Sequence, residues 1–542
     1  MPTVPDLLFP EPSLRIRHRE LSDALTFAFA TGGATLGPVL ARTSVGDSDF
    51  SPDCFARDLF LKDFVHDCLA LAIAGEPREL NEGYLHRVLT HPPRDRATVE
   101  HRHAVFRELT DPRLRARVEH AWVALDQLRK NLEATPLARV NPIHRRLEIL
   151  RQFKAIIEYL AHGFEGCTSA LRLVHDFASS VLDSSGWADL CVVLDHEDHF
   201  ARIDLSIRIG YDGQIRALEI VRAEENRENP LHQSQLRRLW DHFIAFLRGH
   251  AFREREIIGR LVEQVFDGVE PALLLCFQLM TDCEFYLVGL GLEAESKARA
   301  LTVCLPELLP SDPAERTVLR RLFNPFLFAE DRPPVPCDLE LAGSSLVIVT
   351  GPNSGGKTRL LQAVALAQLL GQVGLPVPAE RARLVWTDGI FVSLVQEVAS
   401  DAREGRLGTE LLRIRRLFET LSCNSLVILD ELCSGTNPSE GEEIFELVVE
   451  LLEQLAPRAM ITTHFLQFAG RLAQELPVAG LTFLQAELDD HFHPTFQFVP
   501  GVARTSLAQQ TAERLGVTRE SLAALVKQRC AEHARRHEPQ AR

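Results

Sequence analysis

The chain has 542 residues, too many for one hydrophobic core, so two or more domains are expected. Its 46% hydrophobic and 25% charged residues exclude a disordered polymer, and no apolar run reads as bilayer length; "PALLLCFQLM" is core-sized. A formal charge of −16 excludes indiscriminate duplex binding, which rests on neutralising phosphates, and leaves only local nucleic-acid contacts.

Residues 1–54 form an N-terminal segment. Its start, "MPTVPDLLFPEPSLRIRHRE", lacks an apolar signal core, so a cytoplasmic location without a membrane partner is expected. The 11 cysteines include no CxxC pair, which argues against a zinc ribbon and a disulfide framework and makes most of them buried small hydrophobes. Residues 55–323 read as an all-α core or lever domain. Apolar residues recur at spacings of three and four in "ARDLFLKDFVHDCLALAI" and "RARVEHAWVALDQLRKNLEA", with breaks at "THPPRD", "TDPR" and "NPIH". The stretches 86–120 and 144–154 are rich in Arg and His; they are either nucleic-acid patches or, more plainly, solvated helix faces laced with i,i+4 pairs.

A small β insertion is expected at about 190–225. "HFARIDLSIRIGYDGQIRALEIVRAEE" alternates on both sides of Asp212-Gly213, a strong hairpin signal. With Ile203, Leu205, Ile207 and Ile209 inward, Arg202 and Arg208 share a face with Asp204 and Ser206. Arg202, Arg208 and Arg216 are therefore candidate DNA contacts, and a hairpin that only stabilises the lever tips is the plainer alternative. "DHEDH", Asp195 to His199, reads as a solvated turn before the hairpin, since contiguous ligands on a loop seldom converge on one ion. "DDHFHPTF" reads as a strand entry. Helical periodicity resumes at "LHQSQLRRLWDHFIAFLRGHAF" and runs to about 310. "NPFLFAEDRPPVPCDLEL" (324–341) opens the last domain, 324–542, whose end reads as one or two helices.

In that domain "SSLVIVTGPNSGGKTRLLQA" sets a buried strand against a glycine-rich turn that opens a helix. Gly351, Gly356, Lys357 and Thr358 meet GxxxxGK[ST]. Across Gly351, Pro352, Asn353, Ser354, Gly355 and Gly356 the backbone can bend tightly and aim consecutive N–H groups at one anion at a helix N-terminus. Lys357 adds a charge for β- and γ-phosphate oxygens, and Thr358 can ligate Mg²⁺. "SLVILDE" is a second buried strand ending in carboxylates, with Asp430 facing the metal and Glu431 orienting or deprotonating a water. A third, "AMITTH", places Thr463 and His464 at the same edge, where His464 can sense a γ-phosphate. Cys433 lies beside Glu431, but a thiol nucleophile is not expected.

With those motifs in place, the chain resembles the MutS group of ABC-type ATPases, strongly over 324–525. "TGPNSGGKT" is similar to that family's phosphate loop, "SLVILDELCSGTNPSEG" to its carboxylates and Gly-Thr turn, "ITTHFLQF" to its histidine switch and "FVPGVARTSLAQQTAERLGV" to its closing turn and helix. Upstream, "THPPRDRATVEHRHAVFRELTDPRLR" and "EFYLVGLGL" are similar to its helical core and returning arm. The resemblance implies an α/β P-loop ATPase domain after the helical lever, ATP and Mg²⁺ as cofactors, and a homodimer in which Gly408 and Thr409 complete the partner's nucleotide site. That segment departs from the family, whose Ser-Thr pair is here "EGRLGTELLRI". Residues 1–54 are too short for the family's mismatch-reading domain, the connector has no room, and the hairpin is smaller than the family's clamp. The implied function is an ATP-driven clamp on duplex or branched DNA, related to DNA repair. The alternative is a nucleotide-gated module acting on structured RNA, a ribosome or a protein partner.

Overall fold

The computed structural model describes residues 2–135, 142–209, 215–225, 254–330, 333–342, 345–394, 405–433, 437–475, 480–503 and 517–537. They form two compact units: 1–46, 69–88 and 95–291 make the first, and 47–68, 89–94 and 292–542 the second. The N-terminal region is helical and the C-terminal region is an α/β domain built on sheets.

The first unit begins with α1 (His18–Thr31) and α2 (Gly37–Leu40). In the second unit, α3 (Leu61–Cys68) packs Phe64 edge-on against Phe326. A two-residue pair, β1 (Ala72–Ile73) and β2 (Glu76–Pro77), precedes α4 (Glu82–Thr90), α5 (Arg96–Glu108), α6 (Pro112–Glu133), α7 (Pro142–Gly163), α8 (Arg172–Leu182) and α9 (Ser185–His199). Asp95 and Asp111 begin α5 and α6 by accepting the N–H groups of Thr98 and Arg113, the ordinary N-cap satisfaction of otherwise orphaned donors. The basic stretches turn out to be largely engaged within the protein. Arg102 is buried and donates to the Leu8 carbonyl, and Arg145 reaches the last carbonyls of α1 and α6, Ala28, Phe29, Asn131 and Leu132. Arg115 and Glu119 form an i,i+4 pair. The solvated-face reading fits Arg115 and Glu119, whereas Arg102 and Arg145 are structural, holding backbone carbonyls inside the protein.

Asp195 to His199 close α9 as a helix rather than forming a turn; their side chains lie outside the described residues. The hairpin follows as β3 (Phe200–Ile209) and β4 (Ile215–Glu225), antiparallel. Its register does not keep a strict period of two. Arg208 pairs with Ala217 but Ile209 with Ile215, which leaves Arg216 as an extra residue in β4. The Asp212-Gly213 turn and the side chains of Arg202, Arg208 and Arg216 lie outside the described residues.

The next helix, α10 (Glu254–Ala298), ends at Ala298 rather than near 310. Its stretch Val262–Ala298 contains an 18-residue window apolar enough to cross a bilayer, longer than the core-sized runs expected, and that window is wholly buried inside the protein. One face of α10 pins the N-terminal segment. Asp282 accepts the Leu7 N–H at 3.0 Å and pairs with Arg15, which also reaches Asp6 at 3.1 Å. One turn to either side, Gln278 accepts the Arg15 N–H at 2.7 Å and Tyr286 donates to the Leu7 carbonyl. Burial raises the Asp282 carboxyl to about 6 although Arg15 opposes the shift.

After α10 come strands that helical periodicity did not anticipate: β5 (Glu307–Leu309), β6 (Arg316–Leu322) and β7 (Cys337–Ala342). They form a sheet of order β5-β9-β6-β7 with β9 (Arg381–Val385). The second sheet carries β8 (Leu346–Thr350), β10 (Ile390–Ser393), β11 (Leu426–Leu429), β12 (Arg458–Thr462), β13 (Leu481–Leu488) and β14 (Pro494–Pro500) in the order β10-β11-β12-β8-β13-β14. All its pairings are parallel except β13 with β14. Helix α11 (Lys357–Val373) is buried on nearly every face. It packs against β11 and β12 on one side; on the other, Gln368 and Gln372 donate to the Val385 and Thr387 carbonyls beside the smaller sheet. Among the described residues the remaining α-helices are α12 (Gly405–Thr420), α13 (Pro438–Leu455), α14 (Leu466–Glu475) and α15 (Arg519–His537). Seven of the 11 cysteines are buried, as expected of small hydrophobes.

Asp282→Ala removes the main partner of a buried arginine, and breaking such a pair costs about 3–5 kcal/mol. Urea unfolding should show that loss; an unchanged midpoint would mean that this network does not anchor residues 6–15.

Candidate functional site

The site lies at the carboxyl edge of the larger sheet. Each of β8, β11 and β12 is buried throughout, so their polar residues emerge only where the strands end. The register pairs Leu429 with Ile461 and Thr462 with Val349, which brings the three ends level.

From β8 the chain turns at once. Gly351 has φ +138 and Gly356 φ +84, backbone conformations that L side chains rarely adopt. Space is equally short, because a Cβ on Gly351 or Gly355 would lie 2.8 or 2.9 Å from the Ala486 Cβ on β13. The Gly355 N–H closes the turn on the Pro352 carbonyl at 2.9 Å, and Gly356 is the N-cap of α11. Asn353 and Ser354 are exposed at the tip. Lys357 is 4% exposed, and its ammonium donates to the carbonyls of Gly351 and Pro352 at 2.9 and 3.0 Å. Burial lowers its pKa, against the opposing charges of Glu431 and Asp430. The lysine is thus folded onto its own loop, beside both carboxylates.

Asp430 is the junction. Its Oδ2 accepts the Thr358 hydroxyl at 2.6 Å, and its Oδ1 accepts that of Thr462. The Thr462 hydroxyl also accepts the Glu431 N–H at 2.7 Å. Glu431 itself sits in the left-handed region, φ 49. A hydroxyl and a carboxylate this close are the hard oxygen donors that suit Mg²⁺, so the residues fit that ion. Leu394, just past β10, donates its N–H to Asp58 at 3.1 Å, tying the 47–68 segment to the same edge.

His464 stands exposed after β12, its ring 4.3 Å from that of Phe465. Gly408 and Thr409 are half-buried in the first turn of α12. Arg202, Arg208 and Arg216 are on the hairpin of the other unit. Burial, with Glu410 adding to it, pushes the Cys433 thiol up to about 12, so it is no nucleophile. "DDHFHPTF" forms the turn from β13 into β14, where Asp489 accepts the N–H groups of His491 and His493. Among the described residues no group of three or more His, Cys, Asp and Glu side chains is gathered as a metal site.

Two neighbours of the loop were missed from sequence. Ala486 is the small residue against which the glycines lie, and Phe496, 39% exposed at φ 59, is the side chain that a Cβ on Gly356 would meet at 3.2 Å. Phe496 therefore puts an exposed aromatic surface beside the loop. The reading of "DDHFHPTF" as a strand entry placed Phe496 on a strand but gave it no role.

Residues 347–530 match the family model described as MutS domain V. The chain is similar to "Endonuclease MutS2" of Thermus thermophilus, 33% identical over 211 residues, which are 38% of this chain and 27% of the relative. It is 34% identical over 188 residues to the protein of that name from Streptococcus uberis, covering 34% of this chain and 24% of the relative. It is 27% identical over 270 residues to that of Fusobacterium nucleatum, covering 48% and 32%. The chain thus spans about a quarter to a third of the length of these relatives.

Ala486→Val should press on Gly351 and Gly355 and lower stability by about 1–3 kcal/mol, overpacking being resisted by backbone on both sides. Urea unfolding checks this; an unchanged midpoint would show that β13 does not hold the loop.

Proposed function

We propose, on the premise that residues 347–530 are a MutS domain V, that this chain is a Mg²⁺-dependent ATPase whose hydrolysis cycle drives a conformational change on DNA. The observation that carries the reading is the convergence of the loop 351–358 with Asp430 and Glu431 at one sheet edge.

ATP would lie along the loop, its phosphates accepting the N–H groups at the start of α11. Lys357 exchanges the carbonyls of Gly351 and Pro352 for β- and γ-phosphate oxygens, gaining a charged acceptor for neutral ones. Thr358 and Asp430 would hold Mg²⁺, which when bound supplies neutralisation of the phosphate charge. Glu431, its backbone fixed by Thr462, orients the attacking water and takes its proton. His464 lies at the same edge for the γ-phosphate. Phe496 offers an aromatic surface of the kind on which a base can stack.

The finer reading is a homodimer of ABC-type heads in which Gly408 and Thr409 meet the partner's nucleotide. ATP closes the heads, hydrolysis releases them, and the helical region with its hairpin acts as the lever that grips duplex or branched DNA in the cytoplasm. Exposed Leu411 and Leu412 on α12 support an interface there. The match to MutS domain V, with relatives named MutS2, is what favours DNA over structured RNA, a ribosome or a protein as client. The name endonuclease belongs to much longer chains, and nucleolysis is no part of this reading.

Glu431→Gln keeps the shape of the carboxylate but cannot accept the proton. The variant should bind ATP, hydrolyse it slowly, and accumulate as a closed dimer retained on branched DNA, whereas Lys357→Ala should make no productive use of ATP. If size-exclusion in ATP finds Glu431→Gln no more dimeric than the wild type, head closure is wrong; if ATP fails to change DNA retention, the DNA client is wrong.

A further inference from the structure

Helix α12 contributes a group to the carboxylate edge that the reading so far leaves unused. The Glu410 carboxylate accepts the N–H of Cys433, two residues beyond Glu431. One helical turn on, Arg413 donates to the Ser393 hydroxyl at 3.3 Å, and the Ser393 carbonyl accepts the Asp430 N–H at 2.9 Å. Leu417, on the same face, is fully buried. One face of α12 therefore holds Cys433 directly and reaches Asp430 only through Ser393.

The segment 430–433 needs holding. Glu431 and Cys433 both have positive φ, 49 and 62, in residues that carry side chains, and such conformations persist only where the surroundings over-determine them. Leu432 and Cys433 are buried, so the Cys433 N–H has little water to turn to if Glu410 is withdrawn. The Glu431 N–H is fixed by Thr462 on one side, and Glu410 supplies the restraint on the other.

We propose that Glu410 is a positioning residue: its acceptor oxygen sets the left-handed backbone of the 431–433 turn, so that the orientation of the Glu431 carboxylate follows the placement of α12. This rests on the ATPase reading above. Glu410 directly follows Gly408 and Thr409, so anything that shifts the first turns of α12 shifts the water-activating group of the same subunit without touching nucleotide.

The test compares single-turnover ATP hydrolysis and ATP-analogue affinity in the wild type, Glu410→Ala and Glu410→Gln, with unfolding midpoints measured alongside. Glu410→Ala is expected to slow hydrolysis by about tenfold or more at unchanged affinity, a loss confined to the chemical step. Glu410→Gln, whose amide oxygen still accepts the Cys433 N–H, should restore most of the rate. Where the alanine variant does not fold, Glu410→Asp serves, since it keeps the charge, shortens the arm and should slow hydrolysis likewise. A wild-type rate in Glu410→Ala or Glu410→Asp overturns the proposal, as does an equal loss in Glu410→Gln or a loss of affinity matching the loss of rate. No hydrolysis by the wild type overturns the ATPase reading itself, and this inference with it.

Discussion

The Asp430 carboxylate is the interaction on which the site depends. It joins a hydroxyl at the start of α11 to a hydroxyl at the end of β12, although its own strand, β11, is separated from β8 by β12. Such a bridge forms only if three strand ends are level to within a residue. The level is set by the parallel register of strands that are buried throughout. Packing deep in the sheet thus becomes geometry at its edge.

The loop 351–358 is positioned by the same logic with the opposite chemistry. Instead of a bond it relies on the lack of a side chain, since the glycines lie within contact distance of Ala486 on the neighbouring β13. Sheet order therefore explains both why the loop must be glycine-rich and why Ala486 must be small. Lys357, drawn onto its own loop carbonyls and flanked by the charges of Asp430 and Glu431, shows a site whose cation is already desolvated on one side. On the proposed function, its transfer to phosphate would then cost little further dehydration.

The parts of this arrangement written in contiguous residues could be read in advance: the loop 351–358, the Asp430-Glu431 pair and the three buried strands. Ala486, Phe496, Glu410 and Asp58 could not, because each meets the site only through sheet order or helix packing, and no spacing in the chain gives any of them a role. The helical N-terminal region was legible from its apolar spacing. The smaller sheet was not: β6 is "RTVLRRL", whose three arginines mask a strand with buried Leu319 and Leu322, and β7 follows a Pro-rich stretch that reads as a linker. In "DHEDH" the polar residues suggested a turn, whereas the helix before them runs on to His199. The bulge at Arg216 is equally invisible, since alternation assumes a register that only pairing can supply.

The account turns on Asp430 and Thr358 forming one metal-dependent unit. Its most direct measurement is ATP turnover as a function of Mg²⁺ for the wild type, Thr358→Val, Asp430→Asn and the double variant. Turnover by the wild type should vanish on chelation, each single variant should require much more Mg²⁺, and the double variant should be scarcely worse than either, the non-additivity of groups that serve one ion. Turnover that survives chelation, or losses that simply add, would contradict the account.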